Sequence, residues 1–349
     1  MHTGHTATPS YTDSTRRVAG KICLLALLVV LVPALTSALG PAPVSVHELV
    51  GVTAEHLGLP VHVSWDAVTD AIVWDTRLPR IVAGVGVGAV LGAAGVALQT
   101  IVRNPLAEPY VLGVSSGASA GAATAMIVLA TSSSLGVGVC AFIGALLATF
   151  LVLALGGRGS GTALTLILAG LAVGFAFQSV TNLIIFAAKT PESSRAALFW
   201  TLGSLGRVGW VNAVIGVATA VALCLVLVVV SPLLDALAFG DRTSITVGVR
   251  PGLARTLLLI PVSGAVALAV AIAGGIGFVG LVIPHLMRAW VGPRHGPLLI
   301  ASALGGAVFL TAADTVSRIG FAPTELPLGV VTGLVGAPFL MYLVKAMSS

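Results

Sequence analysis

Charge is what this sequence lacks. Only 29 of its 349 residues are acidic or basic, 8% of the chain, against about 25% in an ordinary soluble domain. A soluble chain of this length can bury a large core, yet it still needs a charged surface around that core. The shortage excludes a cytosolic enzyme, an unfolded chain and a disulfide scaffold, and leaves a protein that crosses a membrane many times. Hydrophobic residues make up 57% of the chain, and 42 more residues are glycine. At about 20–25 residues per crossing helix, that supply is enough for roughly ten helices. A β-barrel would alternate apolar and polar residues, whereas the run from Leu223 to Val230 is apolar throughout. The expected fold is all-α, a polytopic membrane protein with about ten transmembrane helices.

Spans are expected at 21–40, 81–101, 111–130, 136–155, 163–187, 210–230, 255–273, 277–291, 298–316 and 328–345. The third and eighth are short and broken by glycine, which suits half-helix or re-entrant geometry. Residues 1–20 form a cytoplasmic tail expected to be disordered, and 21–349 a single transmembrane domain with an outer loop at 41–80 and an inner segment at 231–254. Basic residues set the orientation. With the N-terminus inside, eleven of them (Arg16, Arg17, Lys21, Arg103, Arg158, Arg242, Arg250, Arg255, Arg288, Arg294 and Lys345) face the cytoplasm. Six face outward: Arg77, Arg80, Lys189, Arg195, Arg207 and Arg318. The acids run the other way, with Asp13, Glu108, Asp235 and Asp241 inside and the other eight at or near the outer face. Both termini are therefore expected in the cytoplasm. Arg16-Arg17 before an apolar run resembles a secretory signal, but nine more apolar spans follow, so the first helix is expected to be retained.

Little in the chain suggests covalent chemistry. Cys23, Cys140 and Cys224 fall inside apolar runs and read as packing residues. His-Glu-x-x-His and Gly-x-Ser-x-Gly patterns are absent. His285 is the one histidine within an expected span, and Asp314 stands four residues before Arg318, as in a helix-end ion pair. A proton relay has little to work with. Gly84, Gly88 and Gly92 recur every four residues, with Gly86 and Gly95 interleaved, and Gly117 and Gly121 repeat the spacing. This pattern lets membrane helices approach closely, and it lacks the strand and Lys-Ser/Thr of a phosphate-binding loop. With no ATP-binding motif in the chain, any ATP-driven mechanism needs a separate ATPase. The outer loop carries His47, Glu48, Glu55, His56, His62, Asp66, Asp70 and Asp75 without a spacing that defines a metal site.

Two regions leave alternatives open. In the inner segment, Leu233-Leu-Asp-Ala-Leu-Ala-Phe-Gly240 and the stretch from Asp241 to Gly248 are too short to cross a membrane. They suit an interface helix, a partner-binding helix or a plain connection. At the outer face, Arg77, Arg80 and Arg318 suit either capture of carboxylates from an acidic partner or anchoring at the membrane interface.

Collinear motifs bear on both. Arg77-Leu-Pro-Arg80, Gly95-Val-Ala-Leu-Gln99, Arg103-Asn-Pro-Leu-Ala-Glu-Pro109 and Leu112-Gly-Val-Ser-Ser-Gly-Ala118 are followed by Leu168-Ala-Gly-Leu171 and Trp200-Thr-Leu-Gly-Ser204. Then come Gly277-Phe-Val-Gly-Leu-Val-Ile-Pro-His285, Asp314, Arg318, Glu325-Leu-Pro-Leu-Gly329 and Gly336-Ala-Pro-Phe339. Together they resemble the iron-siderophore, haem and cobalamin permease family of ABC importers, over roughly three quarters of the chain.

The resemblance implies a permease subunit of the cytoplasmic membrane, paired with a second permease that is identical or paralogous. Two ATPase subunits holding ATP and Mg dock from inside, and a substrate-binding protein delivers the ligand from outside. No cofactor is expected in this chain, no nucleic acid is implied, and the lipid bilayer is its other partner. Coupling to the ATPase falls to Leu237, Phe239, Gly240, Asp241, Arg242 and Gly248, although Asp241-Arg-Thr-Ser-Ile-Thr-Val247 departs from the family's acidic-and-alanine run. Arg77, Arg80 and Arg318 are expected to receive acidic side chains of the binding protein. The fifth span is expected to line the pathway, through Gln178, Ser179 and Asn182. The expected cargo is a ferric siderophore, with haem or cobalamin as alternatives and an ion-gradient-driven transporter as the alternative of another class.

Overall fold

A computed structural model describes residues 11–37, 44–60, 62, 64–156, 163–322 and 324–348. Residues 1–10 of the expected tail, 41–43 of the expected outer loop and Arg158 lie outside them. Fifteen α-helices follow one another among the described residues. In the first half they are α1 (Tyr11–Ser37), α2 (Val46–His56), α3 (Ala67–Ala71), α4 (Leu78–Ile101), α5 (Val114–Ala123), α6 (Ser134–Gly156) and α7 (Ala163–Phe186). In the second half come α8 (Pro191–Thr201), α9 (Trp210–Val229), α10 (Ser231–Ala238), α11 (Asp241–Thr246), α12 (Pro251–Ala273), α13 (Val279–Val291), α14 (His295–Ile319) and α15 (Leu328–Ser348).

Eight of these elements are long and apolar enough to cross a membrane, and two shorter apolar helices, Val114–Val128 and Val279–Val291, take the places of the expected third and eighth spans. The short pair start from loops that hold one another. Glu108 accepts from the backbone N–H of Phe278, and the Tyr110 hydroxyl accepts from that of Ile276 at 2.7 Å. Phe278 has a left-handed backbone (φ 70°), and its ring lies against Gly336 of α15.

Two boundaries differ from the sequence reading. Helix α1 begins at Tyr11, so 11–20, expected in a disordered tail, are helical. The second span, expected from 81, begins at Ala67 and runs 35 residues to Ile101 through a π-helical turn at Ile72–Arg77. Within that run Pro79 falls directly after the π-helical turn, in the first turn of α4. The outer loop is partly helical for local reasons. Ser45 and Glu48 form a reciprocal capping box at the start of α2, and Asp66 caps α3 through Thr69 N–H. Hydrogen bonds from the Ser45 backbone and hydroxyl hold Glu48 below its ordinary pKa, and those from Thr69 do the same for Asp66. His56 stacks on Trp74 with ring centroids 4.0 Å apart and reaches Asp70 at 3.2 Å. Among the described residues, no three His, Cys, Asp or Glu side chains converge to hold a metal.

The patterned glycines work as expected. A Cβ added to Gly88 would fall on the Gly306 carbonyl, one on Gly92 on the Ser302 carbonyl, and one on Gly95 on the Gly280 carbonyl. Gly117 and Gly121 meet the backbone of α6 at Gly144 and Cys140 in the same way. Helix α4 is thus the hub, and α14 lies against it backbone to backbone. In lipid this closeness supplies the packing that the hydrophobic effect cannot.

Replacing Gly92 by valine is expected to destabilise the protein by about 1–3 kcal/mol, since neither backbone can retreat. Gly264, with no atom within 4 Å of an added Cβ, is the control, and its alanine variant should match or slightly exceed the parent. Thermal unfolding in detergent measures both.

Candidate functional site

At the end of the α4–α14 pair expected to face outward, four charged side chains form one network. The Nε of Arg80 donates to both oxygens of Asp314, at 2.9 and 3.0 Å. Its Nη1 donates to both oxygens of Glu325, at 2.8 and 3.0 Å. The Nε of Arg318 lies 3.3 Å from Asp314, one helical turn away on α14. The remaining contacts hold the end of α1. Arg77 donates to the Ser37 carbonyl at 2.7 Å, and Arg318 to the Thr36 carbonyl at 3.4 Å and the Thr315 hydroxyl at 3.2 Å. Guanidinium groups at the last carbonyls of a helix complement its dipole.

The three arginines expected to receive a binding protein's acids are already engaged within this chain. Arg77, Arg80 and Arg318 are only 5–6% exposed, and Asp314 is 3% exposed. A guanidinium can lie so deep only because acids and carbonyls of this chain compensate its desolvation. Glu325, with 39% of its side chain exposed, is the member within reach of an arriving protein. Arg195 and Arg207, by contrast, are exposed and line an open outer cleft of about 330 Å³ beside α8, together with Glu192. Sequence reasoning had placed them outside without a role. Nothing local singled them out, since Glu192 stands one helical turn before Arg195, as in an ordinary surface pair.

At the inner end, the segment after α9 forms two short helices. Helix α10 turns into α11 at Gly240 (φ 100°), and α11 closes at Gly248 (φ 82°). These are left-handed positions that favour glycine. The buried Ser244 hydroxyl joins the two, lying 2.9 Å from the Ala236 carbonyl and 2.8 Å from that of Gly240. Asp241 accepts from Arg255 at 2.6 Å and lies 3.8 Å from Arg103, so it is tied to α12 and to the α4–α5 connection. Leu237, expected at the partner surface, is instead fully buried, as an amphipathic helix this short must be anchored by something. The faces left outward are apolar: Phe239 is 76% exposed, Val247 64% and Ile245 61%. Arg242 is exposed beside them. Ile245 and Val247 were not among the expected contacts.

Helix α7 buries a stripe through Leu166, Ala169, Val173 and Thr181 and leaves the opposite face open. Gln178, Ser179 and Asn182 all lie on that open face. Gln178 donates to Asn182 at 3.1 Å, and Ser179 donates to the Phe175 carbonyl at 2.9 Å. The same face also exposes Leu168, Leu171 and Phe175, so Gln178, Ser179 and Asn182 form a polar patch on an otherwise apolar face, which suits a subunit contact or a path within a membrane.

The comparisons with known proteins agree on one kind of molecule. Residues 24–346 match the profile of the FecCD transport family. The cobalamin import system permease protein of Halobacterium salinarum is 35% identical, across 95% of this chain and 98% of its own length. A Helicobacter pylori protein named as an iron chelatin transport system permease is 37% identical, across 78% of this chain and 82% of its own. Among solved structures, an inward-facing metal-chelate type ABC transporter superposes with a TM-score of 0.80 at 30% identity, covering 93% of this chain and 98% of that one.

Removing one partner of a buried pair strands the other. Asp314→Asn is therefore expected to cost about 3–5 kcal/mol, with little dependence on salt. Glu325→Gln should cost under about 1 kcal/mol, since its carboxylate is half in water. Unfolding midpoints at low and high ionic strength separate the two.

Proposed function

Because this chain belongs to the FecCD transport family and is a permease of the ABC importer type, we propose that it moves a ferric siderophore inward across the cytoplasmic membrane. The observation that carries the reading is the inner pair α10–α11, a compact docking surface with exposed Phe239, Ile245 and Val247 held on a rigid turn. Such a surface fits a groove on a separate ATPase, which supplies ATP and Mg and does the hydrolysis. The chain itself performs no covalent chemistry. It pairs with a second permease, identical or paralogous, and both termini lie in the cytoplasm, in keeping with the excess of basic residues on that side.

The cycle we infer is alternating access. Closure of two ATPases on ATP displaces α10–α11, and the membrane helices re-aim around a pathway lined by the polar patch of α7, at Gln178, Ser179 and Asn182. On the outer side a substrate-binding protein docks. In this chain its acids meet Arg80 by taking the place of Glu325, since Arg77, Arg80 and Arg318 are otherwise occupied. Transport driven by an ion gradient is less well supported. Such a carrier needs a carboxylate free to take and release its ion, and Asp314 is held by Arg80 and Arg318. A siderophore is favoured by the likeness to the iron chelatin permease. Cobalamin is the second reading, favoured by the near full-length likeness to the halobacterial permease.

Calorimetry of the cognate binding protein against ferric siderophores, haem and cobalamin decides the cargo; tight binding of cobalamin alone would replace the siderophore reading. In vesicles holding the complete complex, uptake should stop when the ATPase's Walker lysine is replaced. Uptake that survives this change and collapses with an ionophore would overturn the ABC mechanism. Phe239→Ala should weaken ATPase association by about tenfold or more, as loss of a buried aromatic anchor does, without moving the unfolding midpoint.

A further inference from the structure

A second polar cluster, buried at the inner end of the same α4–α14 pair, has no part in the account above. The side chain of His295, the first residue of α14, is 4% exposed. Its Nδ1 donates to Oδ1 of Asp235 on α10 at 2.6 Å, and its backbone N–H donates to the same oxygen at 3.1 Å. On the other side of the ring, Nε2 meets the hydroxyl of Thr100, near the end of α4, at 2.7 Å. The Thr100 oxygen also lies 3.0 Å from the Val96 carbonyl. One imidazole thus touches three helices.

We propose that His295 is the positioning residue that locks the inner helix α10 to the α4–α14 pair, so that a displacement of α10 is delivered to the outer face. This rests on the reading of α10–α11 as the ATPase-docking segment. Apolar contacts alone hold α10 loosely in direction. Leu234 and Leu237 are fully buried, but a two-turn helix seated on leucines can slide or roll without losing much area. Hydrogen bonds to two neighbours at fixed angles cannot slide. They are also short and buried, where low local dielectric strengthens them.

What lies beyond His295 makes the lock useful. From Thr100 to Arg80 along α4, and from His295 to Asp314 along α14, the distance is about 30 Å. Over that length the two helices touch backbone to backbone, at Gly92 with Ser302 and Gly88 with Gly306. Their outer ends are crosslinked by Arg80 and Asp314. A pair bonded at both ends and packed backbone to backbone at two points between has little room to shear, so it moves as one body. The inner lock and the outer ion pair therefore report on the same rigid element.

The test uses the complete transporter in proteoliposomes, with its ATPase and binding protein, and reads substrate moved per ATP hydrolysed. Thr100→Val removes the hydroxyl at nearly constant volume, Thr100→Ser keeps it, and His295→Phe removes both ring contacts. Thr100→Val and His295→Phe should lower the ratio by at least about fivefold, the lower end of ordinary coupling between sites, while ATP hydrolysis by the assembled complex persists. Thr100→Ser should keep the parent ratio. Adding Asp235→Asn to His295→Phe should cause no further loss, because the two share one interaction. Unchanged ratios in both Thr100→Val and His295→Phe, or additive losses in the double variant, would overturn the proposal. Should His295→Phe not assemble, the threonine pair decides alone, and equal ratios in valine and serine variants overturn it. Failure of the unaltered chain to bind its ATPase would instead refute the docking reading on which this rests.

Discussion

Everything in this structure leans on how closely α4 and α14 approach. Helices in lipid gain nothing from leaving an apolar solvent, so they must associate through packing and through polar contacts between them. Here glycine removes the side chains from the seam, and backbone meets backbone at Gly88, Gly92 and their partners. The consequence reaches beyond adhesion. Where backbone meets backbone there are few rotamers to rearrange and little slack to absorb displacement. Charged and polar groups gather where this rigid pair ends, with Arg80, Asp314, Arg318 and Glu325 at one end and Thr100, His295 and Asp235 at the other.

The polar groups follow a consistent economy. Most charges that lie within the membrane-spanning part are paired across elements rather than along one helix, so each pair also fixes the relation between two elements. Arg80 joins α4 to α14 and to the segment before α15. Arg77 and Arg318 hold the last carbonyls of α1. Asp241 connects α11 to α12 through Arg255. Two faces remain uncovered: an apolar one at Phe239 and Ile245, and one along α7 where Gln178 and Asn182 form a polar patch among exposed Leu171 and Phe175.

Much of this was legible in the sequence, because bilayer thickness and helix rise impose a length that composition must satisfy. The ten apolar helices, the short third and eighth spans, the glycine seam, the i, i+4 pair of Asp314 and Arg318 and the break at Gly240 were all readable from spacing. What was not legible depends on contacts distant in sequence. Arg77 and Arg80 read as exposed because charges at a span end normally face water, and nothing local reveals that Asp314, 234 residues later, and the end of α1 would bury them. Leu237 read as a contact residue because a short amphipathic helix does not say which neighbour takes its apolar face. The helicity of 46–56 was missed because its capping box precedes a segment too polar to count as a span. The role of His295 had no local signal, since its partners lie 60 and 195 residues away.

The ion pair between Arg80 and Asp314 has a consequence for how the chain is made. Arg80 is synthesised near the start of the second span, but its acid arrives only with the ninth. Through most of membrane insertion this guanidinium has no carboxylate and must remain at the water interface, where an unpaired charge can be borne. Helix α4, whose middle is almost wholly buried in the finished protein, therefore gains the buried partner of its Arg80 only once α14 has been made. Assembly is gated from the C-terminal end. The late spans complete a position that the early ones can only hold open, and a chain interrupted before Asp314 would leave the membrane with its central helix uncompensated.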